Sequence, residues 1–193
     1  TLGNVPGATS SSYFYAYGSG SYGGLGDYNC TSGGTCGSTN PVYGSPFAPD
    51  ELGSGGGCQH NSSGGTYYYG GNGGGLARIE APAVELHGDL RADGGDGWGQ
   101  GGGGSGGGIS VVADTVTGGG ALSATGGTAG LGAGGGRIGI DALYVSDGLS
   151  LSAAGQGNAD NGTVFIRQAG TLNIVHPGTA DSTCATFVDI GPD

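Results

Sequence analysis

Leu76-Ala-Arg-Ile-Glu-Ala-Pro-Ala-Val-Glu-Leu-His-Gly-Asp-Leu-Arg-Ala-Asp-Gly-Gly95 is followed by two further versions of itself, and that recurrence sets the architecture of the chain. The second version is Ile109-Ser-Val-Val-Ala-Asp-Thr-Val-Thr-Gly-Gly-Gly-Ala-Leu-Ser-Ala-Thr-Gly-Gly127. The third is Arg137-Ile-Gly-Ile-Asp-Ala-Leu-Tyr-Val-Ser-Asp-Gly-Leu-Ser-Leu-Ser-Ala-Ala-Gly155. Ile79 and Leu90, Val111 and Leu122, and Ile140 and Leu151 all stand 11 positions apart. Two residues after each Leu comes Ala92, Ala124 or Ala153, and two residues later a Gly. The copies are not evenly spaced: Ala92 to Ala124 is 32 residues and Ala124 to Ala153 is 29. The apolar part keeps its length while the glycine tract absorbs the variation.

Within a copy the apolar residues alternate (Ile79, Ala81; Val84, Leu86; Leu90, Ala92), the period of a strand with one buried face. No segment carries a helical period. A fourth, shortened copy is read in Thr163-Val-Phe-Ile-Arg-Gln-Ala-Gly-Thr-Leu-Asn-Ile-Val175, giving about three and a half units. Stacked copies of a unit that cannot bury its own apolar face predict a solenoid. The expected fold is all-β, a Gly-rich right-handed parallel β-helix with glycine at its corners or along a third side. The alternative is an antiparallel β-sandwich or jelly roll, with the same strands paired as hairpins.

Glycine makes up 52 of the 193 residues, far above the usual share of about 7%. Each glycine in regular structure costs roughly 0.5–1 kcal/mol relative to Ala. Disulfides, ions, dense backbone hydrogen bonding or neighbouring subunits must offset that cost, and disulfides with neighbours are the favoured reading. With no Gly-X-Y period and only 7 Pro the chain is not collagen, and the aliphatic runs Ile109–Val112 and Thr163–Ile166 predict that it folds.

Gly101-Gly-Gly-Gly-Ser-Gly-Gly-Gly-Ile-Ser-Val111, Gly118-Gly-Gly-Ala-Leu-Ser-Ala-Thr-Gly-Gly127 and Gly134-Gly-Gly-Arg-Ile-Gly-Ile140 resemble the glycine-rich repeats of large cell-surface and extracellular structural proteins. The resemblance covers about residues 70–155 and rests on a motif of low complexity. It implies a β-helical, non-catalytic extracellular scaffold and names no function.

Residues 1–75 differ in texture, with few aliphatics and many Ser, Gly and Tyr. They are expected to form an arm that caps the solenoid or lies on a neighbouring subunit, with Tyr13, Phe14, Tyr15, Tyr17, Tyr67, Tyr68 and Tyr69 as interface candidates. An intramolecular Tyr-rich covering layer is the alternative. Residues 76–175 form the repeat domain. Residues 176–193 form a tail with an apolar Phe187, Val188, Ile190 patch, which closes the last rung or clips to another subunit.

Cys30, Cys36, Cys58 and Cys184 are an even set with no CxxC pair, read as two disulfides. Three pairings are possible; Cys30 with Cys36 and Cys58 with Cys184 is the favoured one, and four free thiols the alternative. Asn29, Asn61 and Asn161 open N-glycosylation sequons. Paired cysteines, sequons and a start at Thr1 without a hydrophobic leader are read as a secreted, processed glycoprotein at the cell surface. The formal charge of −11, with 4 Arg and no Lys, argues against nucleic acid and against anionic membranes as partners. No apolar run approaches the roughly 20 residues needed to span a bilayer.

Candidate chemistry is sparse. Gly103-Gly-Ser105-Gly-Gly107 matches a nucleophile elbow in letters only, since that motif needs a strand before the Ser and a helix after it. His60, His87 and His176 lie far apart with no second ligand at helical spacing. Glu80, Glu85 and Asp89 fall on one unit and are the candidates for the pair of acids a β-helical polysaccharide-degrading enzyme would need. Asp93 and Asp96, on a Gly-rich turn, are the candidate ligands for a structural calcium, the one cofactor considered. The expected function is a structural subunit of an extracellular filament, appendage or surface layer, self-assembling and not an enzyme. A carbohydrate-binding adhesin that stacks sugars on its Tyr clusters is the first alternative, the β-helical enzyme the second. Ice binding ranks below both, because Thr is scattered.

Overall fold

Val111 lies between Ile79 and Ile140 in a parallel ladder that Ile166 continues, so the equivalent positions of the repeat are neighbours in space. A computed structural model describes residues 17–30, 34, 36–61, 65–168, 171–175 and 185–188, with backbone only for 60, 61, 171–175 and 185–188. Its strands are β1 (Gln59–Asn61), β2 (Thr66–Tyr68), β3 (Leu76–Leu86), β4 (Asp89–Arg91), β5 (Gly108–Gly118), β6 (Ala121–Ser123), β7 (Arg137–Val145), β8 (Ser150–Ser152), β9 (Thr163–Gln168), β10 (Thr171–Val175) and β11 (Ala185–Val188). The fold is an all-β parallel solenoid of about three turns. One wall is the sheet β11-β10-β9-β7-β5-β3, and a second is the narrow parallel sheet β4-β6-β8, which aligns Leu90, Leu122 and Leu151.

The 11-residue spacing carries the chain from the wide wall to the narrow one. Ile109, Val111, Val116, Leu122, Ile138 and Ile140 are fully enclosed between the walls with Ala124 and Ala153. Burying such a side chain contributes roughly 1.5–3 kcal/mol. Ala92, Ala124 and Ala153, each two residues beyond a Leu of the narrow wall, are buried in the same cluster.

The third side is not a sheet. Along 102–107, Gly102 and Ser105 donate to the carbonyls of Gly57 and Ser54, Gly103 and Gly106 to Leu131 and Gly134, and Gly104 and Gly107 to Gly95 and Ala92. Residues three apart thus face the same neighbour, the period of a polyproline-II type helix and not of a β-strand. The same stretch accepts hydrogen bonds from Gly20, from Gly71 and Gly74, and from Gly127 and Arg137, so it is surrounded by other segments of the chain. A Cβ on Gly104 would land inside the carbonyl oxygen of Asn72. The helices can approach this closely because glycine occupies the positions where backbone meets backbone. Backbone hydrogen bonding thus offsets much of the entropic cost of glycine.

The last copy of the repeat departs from the expected parallel course. The fourth copy is parallel only through Gln168; Thr171–Val175 turns back antiparallel onto β9, and β11 pairs antiparallel with β10. Only two residues separate β9 from β10, enough for a hairpin and far too few for the crossover that a parallel strand requires. The tail therefore joins the sheet through Ala185–Val188, while Cys184 and Ile190 lie outside the described residues. As far as they are described, residues 17–75 pack along the repeat domain of the same chain. Gly20, Ser54, Gly56 and Gly71 bond into the glycine layer, whose composition they share.

Ser21, Asn40, Ser54 and Ser105 form a buried polar seam within that layer. Ser21 N donates to Asn40 Oδ1 and Ser54 Oγ, Asn40 Nδ2 to Ser21 O, and Ser54 N to Ser105 Oγ. Arg137 fastens the flanking loop to the wide sheet. Its guanidinium is buried, donates from Nε and Nη2 to Tyr43 O and from Nη1 to Thr163 Oγ1, and lies 5.3 Å from the centre of the Tyr22 ring.

Candidate functional site

At one end of the glycine layer the chain reverses through Trp98–Gln100. Gly101 N donates to Trp98 O at 3.0 Å, and Gly99 takes a positive φ of 63°. Trp98 N donates to Tyr69 O at 2.8 Å, which pins this turn to the end of the β1–β2 hairpin. The Tyr68 ring lies over Gly99, where any Cβ would strike it, and its centre is 5.6 Å from that of Trp98 with the planes tilted 40°. Trp98 is nevertheless 59% exposed and Tyr69 62%. Asn72, Asp96 and Gln100, close by in the chain, are exposed as well. Trp98 packed with Tyr68, and the exposed Tyr69 next to Tyr68 in the chain, thus stand on backbone that is hydrogen-bonded into the bundle, with exposed polar residues close by in the sequence.

No protein-family model, curated protein or solved structure matches the chain. What the surface can do follows from its own geometry.

Of the interface candidates, Tyr67 and Tyr69 are exposed and Tyr68 is half-buried, whereas Tyr13, Phe14 and Tyr15 lie outside the described residues. Tyr17 is not an interface residue: it is 3% exposed, its hydroxyl sits where a Cβ on Gly130 would be, and burial, with Asp27 adding, pushes its pKa up. Cys30 and Cys36 form a disulfide. Among the described residues Cys58 is an exposed thiol; its expected partner Cys184, and with it that pairing, lies outside them. Among the sequons, Asn29 Oδ1 accepts from Tyr17 N at 3.0 Å and Asn161 Oδ1 from Gly155 N at 2.9 Å. The backbone of Asn61 ends β1, and its side chain is outside the described residues.

Asp93 and Asp96 serve as hydrogen-bond acceptors between rungs. Asp93 Oδ1 accepts from Ser123 Oγ, Thr125 N and Thr125 Oγ1, and Oδ2 from Arg91 Nε; Asp96 Oδ1 accepts from Thr128 N. Burial alone would push the Asp93 carboxyl up, but these hydrogen bonds prevail and hold it below its ordinary value. Among the described residues no three His, Cys, Asp or Glu side chains converge as metal ligands.

The enzyme candidates are scattered. Glu85 pairs with His87 at 2.8 Å on open surface, and Asp89 is exposed on β4. Glu80 borders one of two shallow hollows of about 360 and 320 Å³, lined with Pro82, Val112 and Asp114 and with Asp141, Leu143 and Arg167. These are the gaps between two outward-facing ladders of side chains, and Arg167 is engaged with Asp141. Ser105 is buried against Ser54 with no base beside it. His60 and His176 side chains are outside the described residues.

Trp98 and the Arg137–Tyr22–Tyr43 cluster were not singled out from sequence. The signal for Trp98 is its setting: it is the only Trp, alone in Asp96-Gly-Trp98-Gly-Gln100 with no apolar neighbour to pack on.

Proposed function

We propose that this chain is a structural element of an extracellular filament, appendage or surface layer, N-glycosylated, and that it works by shape and not by turnover. The observation that carries this reading is the glycine-dominated lattice of threefold backbone helices along one flank. It fills with peptide groups the space where a catalytic cavity would otherwise lie. An interior tied by backbone hydrogen bonds on several sides resists local opening, a property that serves load-bearing or spacing and has no use in a reaction cycle. The disulfide and the sequons fit an oxidising compartment.

Growth rung upon rung through β3 is disfavoured. This edge strand carries Pro82 at its middle together with Arg78, Glu80 and Glu85, the devices by which edges avoid pairing. Contacts between copies are therefore assigned to other surfaces. Electron microscopy of the native protein with intact mass measurement tests the reading. Ordered assemblies with excess sugar mass are expected; strictly monomeric, unglycosylated particles at high concentration would overturn it.

A further inference from the structure

We propose that Trp98, Tyr68 and Tyr69 form a binding platform for a neutral, hexose-based polysaccharide, a function separate from the structural role above. Pyranose rings present faces of polarised C–H groups that rest on aromatic faces, while their equatorial hydroxyls seek hydrogen bonds at the rim. Tyr and Trp combine an apolar body with a polar tip, which suits a surface that is half dry and half wet. Here Trp98 and Tyr69 are more than half exposed, and Asn72, Asp96 and Gln100 supply exposed amide and carboxylate partners in the same turns. A second copy of the chain would need a continuous apolar patch, and these polar residues interrupt it.

The platform is also pre-organised. Trp98 is held by the Tyr69 carbonyl, by the turn bond from Gly101 and by the Tyr68 ring. A ligand therefore has little to order on binding. Charge selects within the sugar class: at a formal −11, with Asp96 exposed beside the rings, uronate and sulfated chains are repelled and neutral ones are not.

Because Trp98 is the only Trp, its fluorescence reports this site alone. The intact protein is titrated with cellohexaose, maltohexaose and mannohexaose, and with hexagalacturonate as the anionic counterpart. A saturable change in emission with at least one neutral hexasaccharide, and none with hexagalacturonate, is expected. Calorimetry should show binding lost in Trp98→Ala and weakened about tenfold in Tyr69→Ala, while Leu143→Ala, exposed on the wide wall, binds as the parent does. Circular dichroism melts of each variant separate lost binding from lost fold. No saturable response to any neutral probe would overturn the proposal. So would an emission shift that follows protein concentration without sugar, since the rings would then be covered by another copy.

Discussion

Arg137 is buried with no carboxylate at hand, and the carbonyl of Tyr43, the hydroxyl of Thr163 and the face of Tyr22 stand in for one. Burial pulls its pKa down, against the opposing influence of the two tyrosines. Arg137→Ala would leave the Tyr43 carbonyl unpaired and is expected to cost about 3 kcal/mol in denaturant melts. Arg137→Lys should recover less than half, because an ammonium cannot fork onto both partners. The tyrosines give a pH signature. Burial pushes Tyr22 up to about 12 from its ordinary 10.0, and Tyr43 also up. The unfolded chain ionises them near 10 while the folded interior keeps them neutral, so their contribution to stability is intact below about pH 10 and lost as pH rises toward 12. Tyr22→Phe removes a buried hydroxyl that the folded interior keeps neutral and should move the alkaline unfolding midpoint upward, followed by circular dichroism. Glycines separate into two groups by the same logic. Gly104→Ala drives a methyl into the Asn72 carbonyl and should abolish folding, whereas at Gly75 a Cβ meets nothing within 4 Å and Ala should be neutral or stabilising by up to about 1 kcal/mol.

At the scale of the element, the apolar strands were legible in the sequence and the glycine segments were not. Ile79, Val111 and Ile140 align in the structure as their spacing requires, because a period of two with β-branched residues has few competing readings. A glycine tract has no side-chain pattern at all; its period of three resides in the backbone hydrogen bonds and surfaces only when the neighbours are known. For the same reason the sequence does not show how Gly20, Ser54 and Gly71 bond into the lattice. Trp98 was hidden likewise, since its partner Tyr68 lies 30 residues away across two turns. The β10 hairpin could have been found by counting, because Thr163–Val175 holds no glycine tract to carry the chain around. The β3 edge gives a further test. Pro82→Val combined with Glu80→Val should add concentration-dependent association beyond that of the parent in analytical ultracentrifugation, because it restores an edge donor and removes a charge.

The whole molecule divides its stability between two kinds of interior, an aliphatic wedge and a peptide lattice. Unfolding the lattice exposes polar backbone, which lowers the heat-capacity change, where a conventional core raises it. Calorimetry should therefore give a value below the usual range of about 12–15 cal/mol/K per residue. The threefold helices also set the units in which the molecule can be lengthened or shortened. From Ala92 to Val111 is 19 residues, from Ala124 to Ile140 is 16, and from Ala153 to Ile166 is 13. Successive passes shrink by three, one full turn of a three-residue helix. A tract trimmed by a whole turn keeps every remaining amide aimed at its old acceptor; one trimmed by a single residue rotates them all by a third of a circle. Deleting three residues at the tip of a tract should thus be tolerated where deleting one or two is not, and the glycine lattice carries a triplet phase of its own, written in amino acids.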